Sequence, residues 1–198
     1  TGEVVTLVQD ATGAGVVIDK DITIDFNSKT YTVNSAVGSK GTETLAFQIL
    51  KGNDVTLRNG TLKVADSAAD KFYILIQNYA NLTVNNMTLD GTNLDKWSKT
   101  DGDSYVLSNN SGTVNITGET NIIANNDGDL AYAFDVCKYA NYTEPVVTVE
   151  GETTYTFTGL GYNTEYNISV MAIPSDATLY APSTGTTTAT TGENPNVV

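Results

Sequence analysis

An apolar–Thr/Asn–apolar triplet recurs through the first three quarters of the chain, and a chain carrying such a repeat folds by stacking copies of one unit. The triplets are Ile22-Thr23-Ile24, Val55-Thr56-Leu57, Leu82-Thr83-Val84, Val114-Asn115-Ile116 and Val147-Thr148-Val149. Their starts are roughly 30 residues apart, within the range of solenoid repeats. Before most triplets stands a second apolar run and a polar turn, as in Phe47 to Leu50 with Lys51-Gly-Asn-Asp, or Ile74 to Ile76 with Gln77-Asn-Tyr-Ala-Asn. After several comes a third apolar pair, as at Thr30 to Val33, Thr61 to Val64 and Met87 to Leu89. Strand, turn, strand, bend and strand make a three-sided coil.

One such coil cannot bury its apolar face alone, so the pattern predicts stacked turns with parallel pairing from each to the next. Period-two alternation sends Ile24, Leu57, Val84, Ile116 and Val149 inward as one column and the intervening Thr outward. Asn and Gly at the corners tolerate the left-handed backbone that a sharp bend requires. The most variable part of each period falls in the stretches 34–45, 65–72, 90–104 and 125–132, which the pattern places on one face as its working surface. The fold class predicted is all-β: a short right-handed parallel β-helix over 1–151, a small sandwich-like or capping segment over 152–191, and a flexible tail over 192–198.

Ile22 to Val33 follows IxIDxNxKTxTV, Leu50 to Leu62 follows LKGxxVTxxNGTL, and Asn78 to Gly91 follows NYAxLTxxNxTLDG. In these segments the chain resembles the pectate-lyase-like right-handed β-helix family, especially its surface and phage structural members. The resemblance spans roughly Val4 to Gly151, and similar domains serve as polysaccharide lyases, phage tail and head proteins and bacterial adhesins. Beyond it, Leu160, Tyr162, Thr164 and Tyr166 resemble the Leu-x-Pro-x-Thr-x-Tyr signature of a fibronectin type III module, with Tyr in place of Pro. That resemblance implies that Tyr166 is a corner tyrosine. Only the last strands of such a module are visible, so either the chain is incomplete, or these strands cap the helix, or a partner chain completes the sandwich, and of these a cap or completion by a partner is expected.

The side-chain inventory limits the chemistry. The chain has no His, which removes the commonest general base and zinc ligand. The single Cys137 excludes an internal disulfide and reads as a small buried apolar residue. With 10 Lys and Arg against 23 Asp and Glu, the net charge of −13 repels nucleic acid and anionic lipid. No apolar run is long enough for a membrane-spanning helix. The chain opens on Thr1 instead of Met, and the expectation is that targeting signals have been removed.

Relatives that cleave acidic glycans hold Ca²⁺ with carboxylates beside a basic residue. Here the only arginine, Arg58, has no aligned set of acids around it in sequence and reads as an outward ladder residue. Asp101-Gly-Asp and Asp127-Gly-Asp read as turns, since neither continues into a complete calcium loop. No catalytic residue, metal ligand or cofactor is therefore assigned. The sharpest binding candidate is the loop holding Asp90, Asp95, Trp97, Asp101 and Asp103, where the only Trp lies among carboxylates and suits stacking on a sugar. The expected role is a non-catalytic extracellular, virion or bacterial-surface module for display, assembly or glycan adhesion. Its expected partners are a larger protein assembly, glycan and further copies of itself. The rival readings are a polysaccharide lyase or glycoside hydrolase, and a purely structural oligomerising spacer.

Overall fold

The structure is a computed structural model, and it describes residues 2–41, 43–95, 103–125, 131–150, 165–172 and 183–190. Among the described residues there are fifteen strands and no helix. In chain order they are β1 (Glu3–Thr6), β2 (Ala11–Ala14), β3 (Val16–Ile18), β4 (Ile22–Ser35) and β5 (Leu45–Ile49). There follow β6 (Asp54–Val64), β7 (Ile74–Asn78), β8 (Asn81–Asp90), β9 (Ser104–Asn110) and β10 (Thr113–Thr117). The last are β11 (Asn121–Ile123), β12 (Ala131–Cys137), β13 (Val146–Glu150), β14 (Glu165–Ala172) and β15 (Ser183–Thr190).

The first thirteen strands wind into a parallel β-solenoid. One face runs β1-β4-β6-β8-β10-β13, and a second runs β2-β4-β6-β8-β11 through the later halves of the long strands. The third is a separate sheet in the order β12-β9-β7-β5-β3. Every pairing among these strands is parallel, as expected when each turn lies on the one before it. The chain divides into two compact units, Thr1–Glu152 and Thr153–Val198. In the second, β14 and β15 pair antiparallel, Glu165 opposite Thr190 and Ala172 opposite Ser183. Leu160, Tyr162 and Thr164 of the fibronectin-like signature lie outside the described residues, as does the side chain of Tyr166.

The corner between the first two faces is made by single residues. Asn59 at φ 62° bends β6, Asn86 at φ 51° bends β8, and Gly118 at φ 61° separates β10 from β11. Asparagine tolerates this left-handed region better than other side chains that carry a Cβ. The corner in β4 is longer: Asn27 and Ser28 are both left-handed, and Phe26 is wholly buried there. A Cβ on Gly60 would sit 2.5 Å from the Phe26 Cβ and 2.5 Å from the Lys29 carbonyl oxygen. Glycine at 60 is what lets the next turn stack beneath this bulge.

The register places Ile24 beside Leu57, Leu57 beside Val84, Val84 beside Ile116 and Ile116 beside Val149. The column is continuous, but its burial is graded. Leu57 and Val84 are fully buried, Ile24 and Ile116 partly, and Val149 is 62% exposed. Among the described residues no later strand pairs with β13, which ends its sheet, so the expectation that the whole column is buried fails at its end. The same cause corrects Cys137. It lies on β12, the outermost strand of the third sheet, and is exposed, its thiol donating to Asn110 Oδ1 at 2.7 Å.

The third sheet differs from the simple inside-outside pattern. Ala46 and Phe47, Leu75 and Ile76, and Val106 and Leu107 are adjacent pairs in which both members are buried. Adjacent strand residues face opposite sides, so this sheet is covered on both. Phe72 and Leu94, from the variable loops, are also buried in the core. A Cβ on Gly91 would lie 2.4 Å from Val106 Cγ2 and 3.0 Å from Leu94 Cδ1, so loop and strand meet there. Two residues of the loops expected as a working surface, Phe72 and Leu94, therefore supply core.

Truncating a core side chain removes transfer energy and leaves a cavity, so Leu57→Ala is expected to cost about 2–5 kcal/mol. The exposed Val149→Ala should stay within about 0.5 kcal/mol. Chemical denaturation of both variants checks the contrast; equal losses would deny the graded column.

Candidate functional site

The acids of the predicted loop turn out to hold the fold. Asp90, at the end of β8, accepts from the Thr92 amide at 3.0 Å and the Thr92 hydroxyl at 2.7 Å, closing the turn that follows. Asp95 takes Lys71 Nζ on Oδ1 at 2.6 Å and the Phe72 amide on Oδ2 at 3.1 Å, which ties its loop to the preceding one. Asp103 accepts from the Tyr105 hydroxyl. Burial first, then this carboxylate, push the Tyr105 phenol well above its ordinary range. Trp97 and Asp101 lie outside the described residues. The neighbouring loops use the same device: Asp70 accepts from the Ala36 amide at 2.8 Å, and Asn93 donates to Asp66 at 2.6 Å and the Val64 carbonyl at 3.0 Å.

Arg58 also has a partner that its sequence neighbourhood concealed. The register puts Asp25 beside it one turn earlier, and Nε meets Asp25 Oδ2 at 2.9 Å. Asp25 Oδ1 accepts from the Asn27 amide at 2.9 Å and from Asn59 Nδ2 at 3.2 Å. Burial pushes the Asp25 carboxyl up, but the Asn27 and Asn59 hydrogen bonds and the Arg58 guanidinium outweigh it and hold the pKa below its ordinary value. Along this corner runs an open groove of about 500 Å³, lined by Asp25, Asn27, Asn59, Thr61, Asn86 and Thr88 among others. Asp25 is its only lining carboxylate among the described residues. Double-carboxylate hydrolysis needs a second on the opposite side of the bond.

A second concavity lies at the corner between the third and first faces. Asn78 and Asn109 stack there, fully buried, with Asn78 Nδ2 donating to Asn109 Oδ1 at 2.9 Å and to the Ala80 carbonyl at 3.0 Å. Asn109 continues the ladder by donating to the Gly112 carbonyl at 2.9 Å. A Cβ on Gly112 would lie 2.3 Å from Asn78 Nδ2, so only glycine leaves room for this ladder. Outside it is a pocket of about 180 Å³ whose lining includes Lys51, Asn53, Tyr79, Asn81, Ser111 and Thr113.

The aromatic wall of that pocket is braced by two further tyrosines. Tyr79 meets Tyr139 edge to face at 5.4 Å and Tyr142 at 6.1 Å, and Tyr139 meets Tyr142 at 5.4 Å. Lys51 Nζ lies 4.2 Å from the centroid of the Tyr142 ring, a cation–π contact. Burial raises the Tyr79 phenol above its ordinary pKa, against a hydrogen bond with Asn110, so it stays neutral at physiological pH. Sequence reading looked for one exposed Trp and passed over this group, because Tyr79 lies between β7 and β8 while Tyr139 and Tyr142 lie between β12 and β13. The corner pairing of Asn78 with Asn109 carries no signal for the later two.

Among the described residues no three His, Cys, Asp or Glu side chains converge as a metal-holding group, and no helix is long and apolar enough to cross a membrane. Comparison with protein-family models, with curated proteins and with solved structures finds no match to this chain.

A carboxyl whose folded pKa is lowered contributes stability above its unfolded pKa, and that contribution is lost as pH falls through the folded value. Asp25→Asn should therefore be less stable than the native protein at neutral pH. The difference should close below about pH 4, where free carboxyls protonate. Denaturant midpoints of both proteins across this range check it; a gap that does not narrow as pH falls below about 4 would assign the loss to packing instead of charge.

Proposed function

We propose that the chain is a non-catalytic module of an extracellular, virion or bacterial surface, presenting a rigid solenoid for display and glycan adhesion. The observation that carries this reading is how the charged groups are employed. Arg58, the residue a lyase of similar fold would need free, is paired with Asp25 in the stacked register. Asp90, Asp95 and Asp103 are engaged in turn and loop bonds of the fold itself. The resemblance to pectate-lyase-like surface and phage structural proteins supports the location, and the −13 charge suits a solvent-facing role that disfavours nucleic acid.

The spacer reading has its own support in the exposed apolar residues of the end strands, Val4 and Val5 on β1 and Val146, Val147 and Val149 on β13. Open strand edges of this kind pair with further chain. On that reading the protein stacks within a larger assembly, and the β14–β15 hairpin belongs to a fibronectin-like sandwich that another chain completes.

Plant, host and bacterial-envelope polysaccharides incubated with the protein, with and without Ca²⁺, should show no release of product. Sustained release abolished by Arg58→Ala would establish an enzyme and overturn the proposal. A glycan array read with the same preparation tests the adhesion half: retention of defined glycans is expected, and none retained would leave the spacer reading standing.

A further inference from the structure

We propose that the pocket beside Tyr79 is a glycan subsite that takes one uncharged sugar ring, an inference that rests on the adhesion reading above. Three independent features meet there. The wall is an aromatic ring, and sugars present an apolar face of C–H groups that packs on such rings. Tyr139 and Tyr142 contact Tyr79 edge to face, which fixes its ring before any ligand arrives and reduces the ordering cost of binding.

The remaining lining supplies short, neutral hydrogen-bonding groups. Asn81 donates through Nδ2 to Asp54 at 2.8 Å, which orients its amide and leaves Oδ1 to accept from a sugar hydroxyl. Ser111 Oγ accepts from the Tyr139 amide at 2.7 Å and keeps its own proton to donate. Thr113 and Thr143 add two hydroxyls. Asn81 sits on β8, Thr113 on β10 and Ser111 on the turn after β9, so the solenoid's ladder holds these three in place, while Thr143 comes from the stretch between β12 and β13.

Size and charge narrow the ligand. At about 180 Å³ the pocket is smaller than those that enclose drug-sized molecules, so it accepts a single ring with the rest of a chain in solvent. Among the described residues Lys51 is the only charged one in the lining, and its ammonium is already held against the Tyr142 ring. Among the described residues no acid stands in the lining to hold a cationic sugar, and the −13 charge opposes polyanions. What remains is a neutral hexose or acetamido sugar. Gly112 lies on the pocket lining, and its missing side chain serves the buried ladder behind it.

The test titrates methyl glycosides of glucose, galactose, mannose and N-acetylglucosamine, with the methyl glycosides of glucuronic and galacturonic acid as the charged arm. Tyrosine ring resonances of the native protein are followed by NMR, and affinity by calorimetry. At least one neutral glycoside should shift the Tyr79 ring signals, with binding little changed by salt. Tyr79→Ala should weaken it by about 3- to 10-fold, the range aromatic contacts supply, while Tyr79→Phe retains it. Circular dichroism verifies the fold, and the native ring shifts stand even where Tyr79→Ala does not fold. Tighter binding of the uronic glycosides, lost in Lys51→Ala, would overturn the uncharged assignment. Glycan retention on the array that is lost in Trp97→Ala but kept in Tyr79→Ala would move the site elsewhere and leave the adhesion reading intact. Absence of any glycan binding by the native protein would remove both.

Discussion

Everything described depends on the parallel register that sets Leu57 on Val84 and Ile24 on Leu57. Side chains in strands alternate, so a slip of one residue would turn the whole apolar column outward. The same register that stacks apolar residues inward also stacks Asp25 on Arg58, Thr56 on Thr83 and Asn78 on Asn109. Apolar burial fixes the pairing, and the polar columns follow from it. Where the columns are polar and buried, as at Asn78 and Asn109, the amides satisfy each other and the carbonyls around them, which low-dielectric surroundings make obligatory.

A stacked fold of this kind converts charged residues into structural ones. Loops that leave the coil at successive turns lie beside one another, and their backbone amides need acceptors. Asp70 meets Ala36, Asp95 meets Phe72 and Asp90 meets Thr92 for that reason. An acid-rich loop face thus arises without any demand for catalysis. The tyrosine pocket is different in kind. Its hydroxyls and amides retain unused hydrogen-bonding capacity, and its aromatic wall is braced from outside the coil by residues that come after β12.

The parts legible in sequence were those fixed by short-range pattern. The triplet period located the stacked column, and Asn at 59 and 86 marked the corners that are left-handed in the structure. What escaped depends on neighbours that a linear pattern does not carry. Val149 and Cys137 have the residue types of buried positions, but burial requires a next paired turn, and among the described residues β13 and β12 end their sheets. Phe72 and Leu94 fall in irregular stretches without alternation, so their place in the core had no periodic signature. Arg58 looked unsupported because Asp25 lies a full turn away, and the tyrosines gather from one position in β-corner sequence and two in a later loop. The acids and the single Trp of 90–104 had suggested a ligand surface; Asp90 and Asp103 make local bonds, and Asp95 bonds the preceding loop.

Amide hydrogen exchange across the solenoid tests the graded stack most directly, because opening must begin where a turn has only one neighbour. The account predicts the slowest exchange in β6 and β8, around Leu57, Leu82 and Val84, falling off on either side through β4 and β10 to β1 and β13. Protection in β13 equal to that of β6, or rapid exchange in β6 while the end strands stay protected, would contradict it.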